Sequence, residues 1–538
     1  MNKLFKYFMF FGLALGAVAC TDLEEELVGD ITDEVTAPGF NITVVNDPAA
    51  GNAIADLTAS YAELRNAGTA NHGGYYAVQE ITSDEMCIAA KGGDWFDGGI
   101  LIELHQHTYG ANHAFVNGTW GQQYNAIGTI NGKLGDGSLG PDGVAQARAL
   151  RAYFYWRLLD LYGRVKIVTE TAADPPQASR QEVFDFVESE LLAALGISEV
   201  TAGMDLSNSN LDDGGSAYVM NRYGALGILG KLYLNAEVYT GTAMYDKAEL
   251  CADAIISSGA YSLCGAGCTV ANLGKREGVA ADPDVLEGYA AVFAPNNGGN
   301  PEHIFAVQYD EASGGGMNFS QMTLHFSSQF TWNFDAQPWN GYASLEEFYN
   351  SYDEADARKK ANFIVGPQLD FGGSSVLDYA ADDDDIQLNY TPKINELAPN
   401  SLREAGARPG KFSFKQGGRP DMDNDWPIVR LGDVYLMRAE AAARQAGDWT
   451  VAEADVNVLR ARAGVPAYSG TLSGDEFLAE RGREMFQETS RRTDLIRFGK
   501  YNDAWWEKPA SDAFRNVFPI PLEQIQASNG SLTQNPGY

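Results

Sequence analysis

Hydrophobic residues recur at helical spacing through most of the chain. The spacing predicts helices over residues 55–64, 120–127, 144–162, 180–195, 223–239, 245–256, 429–444, 451–462 and 475–498. Residues 144–162 are apolar on nearly all sides, so this helix is expected deep in the core. Ser179 and Glu182 have the spacing of a capping box, which predicts that a helix begins directly after Ser179.

Several of these helices are arranged as consecutive pairs. Residues 223–239 and 245–256 form two amphipathic helices within about 35 residues, which resembles a tetratricopeptide repeat. Similar pairs are residues 144–162 with 179–195 and residues 429–444 with 451–462. The distances between pairs are irregular, which predicts repeats embedded in a globule and not a free solenoid. The expected fold class is mainly α, with tetratricopeptide-like helix pairs packed against a loop-rich region with short strands.

The pattern changes between residues 262 and 425. Gly, Asn, Asp and Pro interrupt short extended pieces such as residues 304–307 in this region. We therefore divide the folded chain into an N-terminal helical region (54–261), a loop-rich region (262–425) and a C-terminal helical region (426–538). Loops on a rigid helical scaffold commonly carry binding sites, so we expect the ligand-binding region at 262–425.

The N-terminus has the pattern of a lipoprotein signal. Lys3 and Lys6 precede an apolar run over residues 7–19 that is too short for a stable membrane span, and Cys20 follows small residues. This pattern resembles a bacterial lipobox, which predicts a signal peptide at 1–19 and lipidation of Cys20. Residues 20–53 are then an acidic tether and an irregular segment. The alternative is a plain secreted protein with an accidental Cys.

Charge excludes several classes of partner. The chain has 538 residues, with 38 Lys and Arg against 72 Asp and Glu, and a formal net charge of −34. Nucleic-acid binding and attachment to anionic lipid both need a basic surface, so neither is expected as the main activity. Among Cys87, Cys251, Cys264 and Cys268, the short loop between Cys264 and Cys268 is a plausible disulfide, although the sequence leaves three pairings open.

Motifs for catalysis or metal binding are absent from the sequence or weak. The chain has no Walker loop, no HExxH and no GxSxG. His105, His107 and His113 form a cluster that is more simply read as structural. The acidic runs at 382–385 and 421–425 could bind Ca²⁺ through oxygen ligands, but solvated turns are the simpler interpretation. No catalytic residue, metal site or cofactor is therefore assigned, apart from this possible structural Ca²⁺.

Aromatic residues in polar loops are the more informative candidates. Trp residues surrounded by Gly, Asp and Asn are expected to be exposed, and flat aromatic faces can stack on sugar rings while polar neighbours bind hydroxyl groups. The candidate glycan-binding residues are Trp95, Phe96, Asp97, Trp332, Trp339, Asn340 and Tyr342.

Several segments together resemble the SusD/RagB family of nutrient-uptake lipoproteins. The C-terminal sequence around Phe518, Ile520 and Pro521 is similar to the family's ending, and residues 477–500 resemble its pattern of Glu, Arg and Asp. Further similar segments are residues 147–163, 300–302 and 425–441.

The resemblance implies a SusD-like fold and a surface protein without catalytic activity. Such a protein is lipid-anchored in the outer membrane, faces the cell exterior, and delivers oligo- or polysaccharide to a SusC-like TonB-dependent transporter. Trp95 falls in a loop that resembles one bearing a sugar-stacking Trp in starch-binding relatives. Two other functions stay open: a surface glycoside hydrolase, and a protein-binding scaffold without direct glycan contact.

Overall fold

The computed structural model describes residues 48–170, 174–312, 315–379 and 386–538. The predicted signal peptide, Cys20 and the acidic run at 382–385 lie outside these residues. None of the helices in the described part combines the length and apolar character needed to cross a membrane.

Helices dominate the N-terminal half of the described chain. Its elements are α1 (Pro48–Asn66), α2 (Tyr75–Glu80), β1 (Met86–Ile88), α3 (Ile100–His105), α4 (Ala114–Asp136), α5 (Pro141–Tyr162), α6 (Arg180–Leu195), α7 (Arg222–Leu234), α8 (Ala236–Thr240) and α9 (Tyr245–Ser257). The predicted capping box is confirmed, because the Ser179 hydroxyl accepts from the Glu182 N–H and the Glu182 carboxylate accepts from the Ser179 N–H. Helix α5 packs between α4 and α6, and its second half is buried on every side, as its composition predicts.

Short strands and short helices make up the middle of the chain. They are β2 (Thr269–Ala271), β3 (Val285–Glu287), α10 (Tyr289–Val292), β4 (His303–Val307), α11 (Phe319–Thr323), α12 (Gln329–Trp332), β5 (Tyr342–Ser344), α13 (Glu346–Asn350), α14 (Ala357–Asn362), β6 (Phe363–Ile364), β7 (Gly366–Pro367), β8 (Asn389–Tyr390) and β9 (Arg408–Pro409). The extended piece predicted at 304–307 is therefore confirmed as β4.

The C-terminal part of the chain begins with a strand and is otherwise helical. Its elements are β10 (Trp426–Arg430), α15 (Leu431–Ala446), α16 (Glu453–Ala463), α17 (Gly474–Met485), α18 (Arg491–Arg497) and α19 (Leu522–Ala527). Single turns of 3₁₀ helix are Asp97–Gly99, Phe326–Ser328, Trp449–Ala452 and Ala513–Asn516. The described strands form antiparallel pairs, namely β1 with β5, β2 with β3, β4 with β10, β6 with β9 and β7 with β8.

The predicted helix pairs are present, and glycines bring some elements close together. Helices α5 and α6, α7 and α9, and α15 and α16 each pack against one another. On α7, a Cβ at Gly227 would lie 2.4 Å from Val429, and one at Gly230 would lie 2.6 Å from the Met437 sulfur. Only glycine allows β10 and α15 to approach α7 this closely. One hydrophobic core extends from Leu57 to Leu532, so the three predicted regions share it.

The prediction of one long helix over 475–498 is wrong, because α17 ends at Met485 and α18 begins only at Arg491. Gln487 and Thr489 have positive φ angles, which a continuous helix cannot contain. The Lys411 ammonium donates to the main-chain oxygen of Phe486 at 2.8 Å, and so takes an acceptor that a helix would use. The Glu80 carboxylate accepts from the Thr489 N–H at 2.6 Å. Tertiary partners thus replace helical hydrogen bonds at this break.

A buried group of charges joins the middle of the chain to the C-terminal helices. We call Arg430, Glu302, Glu484, Glu488 and Arg462 the Arg430 cluster. The Arg430 guanidinium lies 2.8 Å from Glu302, 2.8 Å from Glu484 and 2.6 Å from Glu488, and Arg462 pairs with both Glu302 and Glu484. Burial alone would raise the pKa of Glu484, but Arg462 and Arg430 lower it well below its usual range.

The four cysteines among the described residues form one disulfide and leave two free thiols. Cys264 and Cys268 form a disulfide, which confirms the plausible short loop. Cys87 and Cys251 are free and buried, so the other possible pairings are excluded in this structure.

Candidate functional site

A tight turn after β1 presents Trp95. Lys91 and Asp94 exchange main-chain hydrogen bonds, with N–O distances of 2.8 and 3.2 Å. Trp95 and Asp97 then adopt positive φ angles of 60° and 42°. Residues other than glycine rarely adopt this conformation, and its occurrence at two nearby loop positions marks a functional candidate.

The pairing of β1 with β5 brings two of the predicted tryptophans together. Ile88 pairs with Tyr342, so the turn after β1 meets the segment before β5 at the same end of the ladder. There the Trp95 indole N–H donates to the main-chain oxygen of Trp339. A Cβ at Gly341 would lie 2.7 Å from the Trp95 ring, so a larger residue at this position would displace the indole.

The side chains around this contact form an exposed aromatic surface. Phe96 and Trp339 are 48% and 47% exposed, and Trp95 is half-buried. We call Trp95, Phe96 and Trp339 the Trp95–Trp339 face. Asp97 lies beside it, exposed and without a hydrogen bond to any described residue, so its carboxylate is available to accept from a ligand. The face offers flat apolar rings next to a hydrogen-bond acceptor.

His72 supports this face from below. Its ring meets Trp95 edge to face with centroids 5.3 Å apart, and its Nδ1 lies 3.0 Å from the Tyr342 hydroxyl. Burial lowers the pKa of His72 to about 4, so the ring is neutral at pH 7. His72 therefore positions Trp95 through ring packing and not through charge.

Two predicted site residues are structural. Asn340 and Tyr342 are fully buried, so neither side chain can contact a ligand in this structure, and their assignment as ligand contacts is corrected. The Asn340 amide donates to the Arg403 main-chain oxygen at 3.1 Å and accepts from Arg408 at 2.8 Å. Tyr342 packs against Tyr76 in the core. Polar neighbours in the sequence suggested exposure here, but both residues face inward.

Trp332 belongs to a different aromatic group. Its ring stacks on Phe334 at 5.8 Å and meets Phe414 edge to face at 5.3 Å. No ring contact joins it to Trp95 or Trp339 among the described residues. Its role in binding stays a prediction, but the structure does not place it on the Trp95–Trp339 face.

Two exposed aromatic residues were not predicted from the sequence as candidate site residues. Phe330 and Tyr379 are 54% and 46% exposed and meet edge to face at 6.4 Å. The Tyr379 hydroxyl donates to the Gln337 side chain at 3.0 Å, which ties this pair to the segment that carries Trp339. The feature of the sequence that could have indicated this pair is the acidic run that follows Tyr379.

The predicted metal-binding alternatives receive no support from the geometry. His105 and His107 lie at the end of α3 and beyond it, not on a strand, and their Nε2 atoms contact the main-chain oxygens of Trp506 and Thr82. His113 caps α4. Within the described ranges, no three His, Cys, Asp or Glu side chains are arranged to hold a metal ion.

The three acids of the 421–425 run point to different partners. Asp421 accepts from the Gly316 N–H at 2.7 Å. Asp423 pairs with Lys415 at 2.5 Å, and Asp425 accepts from the Tyr218 hydroxyl. Each carboxylate therefore serves a local contact, and the run does not form a ring of oxygen ligands.

Comparison with known proteins gives consistent matches. The SusD family model matches residues 301–511. The starch-binding protein SusD of Bacteroides thetaiotaomicron is 28% identical over 428 residues, which are 73% of this chain and 72% of that protein.

Solved structures share the fold over nearly their whole length. Surface glycan-binding protein A from Bacteroides thetaiotaomicron, in complex with laminarihexaose, superposes with a TM-score of 0.67 at 19% identity, covering 90% of this chain and 99% of that chain. A SusD superfamily protein from Parabacteroides distasonis gives a TM-score of 0.68 at 18% identity, covering 91% and 99%. This chain is therefore similar to the SusD family over residues 301–511, and it shares the fold of solved SusD-like proteins.

Proposed function

We propose that this protein is a glycan-binding protein of the cell surface that captures oligo- or polysaccharide on the Trp95–Trp339 face. The observation that carries the proposal is the contact between Trp95 and Trp339, two residues 244 positions apart that meet at one exposed surface. Indole and phenyl faces stack on the apolar faces of sugar rings, and Asp97 beside them accepts hydroxyl hydrogen bonds.

The electrostatics favour a neutral glycan. The net charge is −34, and Asp97 adds a carboxylate at the site itself. An acidic polysaccharide would be repelled by both, whereas a neutral sugar can donate to the carboxylate. Each ring contact on an open surface is weak in water, so retention depends on several rings bound together.

Two relatives support the ligand class. One is named as a starch-binding protein, and one was solved with laminarihexaose. We extend from them only the general class, a glycan.

Delivery follows as the second part of the proposal. A lipid on Cys20 would anchor the protein in the outer membrane facing the exterior, and the bound glycan would pass to a SusC-like TonB-dependent transporter without being cleaved. Purification from the native membrane should recover a transporter of this class with the protein, and Cys20→Ser should release it from the membrane. New reducing ends on incubation with glycan would contradict the absence of catalysis.

The site is tested with matched tryptophan variants. In affinity electrophoresis against a panel of neutral polysaccharides, Trp95→Ala and Trp339→Ala should each weaken the apparent affinity at least about fivefold, because each removes a stacking platform worth about 1 kcal/mol or more beyond its buried area. Trp332→Ala, in the separate aromatic group, should leave binding near that of wild type if only this face binds the glycan. Unchanged binding in both site variants, with thermal unfolding like that of wild type, would remove this face from the proposal.

A further inference from the structure

A cavity lies at the end of the β1–β5 ladder that is opposite to the Trp95–Trp339 face. It has a volume of about 350 Å³. Asp84, two residues before β1, and Leu345, directly after β5, line it. Trp95 and Trp339 lie beyond the other end of the same two strands, so this cavity is separate from the Trp95–Trp339 face.

Aromatic rings form its walls, and neighbouring contacts fix them in place. Phe348, Trp505 and Trp506 line the cavity. The Lys508 ammonium lies 3.9 Å above the Trp505 ring, and Trp505 and Lys508 exchange main-chain hydrogen bonds. His105 contacts the Trp506 main-chain oxygen at 2.8 Å and meets the Trp506 ring edge to face. The aromatic surface is therefore already ordered without a ligand.

The polar groups of the cavity are acceptors without a free positive charge. Arg491 donates to both oxygens of Asp84 at 2.6 and 2.9 Å, and its remaining terminal nitrogen donates to the Leu478 main-chain oxygen at 2.8 Å. The charge of the guanidinium is thus paired with the Asp84 carboxylate. Glu347 is exposed at the rim and makes no hydrogen bond or ion pair with the described residues. A phosphate or an acidic sugar would find no unpaired cation among the lining residues, and the Lys508 ammonium over the Trp505 ring donates to the main-chain oxygens of Asp503 and Pro509.

We propose that this cavity is a second carbohydrate site, which binds a single neutral sugar ring of a glycan. Its volume lies within the range of about 300–1,000 Å³ that is typical of small-ligand sites. The combination of indole walls with carboxylate acceptors suits an uncharged, polyhydroxylated ring for the same reasons as at the first face. The choice of ligand class rests on the proposed function, whereas the site itself rests on this cavity.

Two sites on one molecule change how a polysaccharide is held. A long chain that reaches both converts the second contact into an intramolecular event, so overall binding exceeds that of either site. A disaccharide, which is too short to reach both sites, cannot benefit in this way. We therefore expect Trp506→Ala to weaken the binding of a long polymer more than that of a disaccharide.

Calorimetry with laminarihexaose and soluble starch tests the proposal. The compared proteins are wild type, Trp95→Ala/Trp339→Ala, Trp506→Ala and all three substitutions together. The double variant should keep one weak site, and the triple variant should have none.

Because Trp506→Ala could perturb packing, Ala504→Phe offers a second route: Ala504 is exposed at the cavity, and the added ring fills it without removing a core contact. Crystals soaked in glucose should show a sugar ring against Trp506.

The possible results separate the two proposals. If the double variant loses all binding and glucose leaves the cavity empty, the second site is overturned and the first stands. If the double variant binds like wild type while Ala504→Phe abolishes binding, the cavity is the principal site and the first face is wrong. If no protein binds any of these sugars, both fail. Loss of transporter recovery with Ala504→Phe, and unchanged sugar binding, would assign the cavity to a protein segment and overturn the carbohydrate assignment.

Discussion

The Arg430 cluster and the Trp95–Trp339 face use their residues in opposite ways. The cluster buries Arg and Glu side chains that water would otherwise solvate, and each charge there has a partner within 3 Å. The face leaves large aromatic rings in water, where they gain nothing for stability. Both groups depart from the usual rule that apolar side chains are buried and charged side chains are exposed. The cluster buries charges that stabilise the fold, and the face exposes rings that we propose bind a ligand.

The comparison also explains which motifs are most recognisable. Glu480, Arg481, Glu484 and Glu488 belong to the segment that resembles the family pattern, and all are buried in ion pairs. Their spacing is dictated by partners in other elements, so a substitution affects several contacts at once. The face carries no such constraint beyond Gly341 and the turn at Trp95.

Breaking the Arg430 cluster should give the largest effect. Arg430→Met leaves Glu484 and Glu488 with fewer buried partners, and loss of one member of a buried ion pair costs about 3–5 kcal/mol. Lys133→Met, which removes an exposed ion pair with Asp136, should cost less than about 1 kcal/mol. Urea denaturation measures both free energies of unfolding. Equal losses in the two variants would show that the cluster is not a source of stability, and glycan affinity of the folded Arg430→Met protein should stay near that of wild type.

A buried carboxyl group should make stability depend on pH. Burial raises the pKa of Glu80 from 4.5 to about 7, and the titratable groups facing it are Glu85, Lys411 and Glu488. Because the folded pKa is above the unfolded one, this contribution is fully present below pH 4.5 and is lost as the pH rises to about 7. The loss is on the order of 3 kcal/mol.

Glu80→Gln provides the control for this titration. The amide cannot ionise, so the difference in unfolding free energy between the variant and wild type should shift in favour of the variant between pH 4.5 and 7. A difference that does not change with pH over this range would contradict an uncharged Glu80 in the folded protein.

Removing the disulfide should have a smaller effect on stability and none on binding. The bridge closes a loop with a sequence separation of 4, for which the chain-entropy relation gives about 2 kcal/mol. Cys264→Ser/Cys268→Ser should lose this amount in urea denaturation, and wild type under reducing conditions should match it. Weaker glycan binding in the variant would contradict a purely structural bridge.

The smallest effect should come from the support beneath the face, and it should appear in binding. His72→Ala removes one edge-to-face contact of Trp95, worth about 1 kcal/mol, which corresponds to roughly fivefold weaker binding. His303→Ala is the matched control, since the buried His303 contacts the Val292 main-chain oxygen and lies at neither proposed site. Equal changes in affinity for the two variants would mean that His72 does not position the indole.

Local patterns predicted the helices well because their causes are local. Ser179 and Glu182 specify their helix start by themselves, and the apolar composition of residues 144–162 leaves α5 nowhere but the core. The break after Met485 was not predictable, because its causes are Glu80 and Lys411, which are distant in sequence.

The sequence predicted which types of residue form the site, but it did not predict which of the candidate residues are exposed there. Trp95 and Trp339 stand out in polar loops, yet Asn340 and Tyr342 share that setting and are buried. Whether a loop residue points out or in depends on the pairing of β1 with β5, which no local pattern reveals. Trp505 and Trp506 lie in a loop whose cavity forms only with Phe348 and Asp84 from far along the chain.

The β1–β5 ladder has a consequence for how the protein can be divided. Met86 pairs with Ser344, so the face is assembled across more than 200 residues and contacts of such long range form late in folding. A fragment limited to residues 301–511, the part that the family model matches, would contain Trp339 but neither Trp95 nor β1, the strand that pairs with β5. Expression of that fragment should yield no glycan binding at the Trp95–Trp339 face.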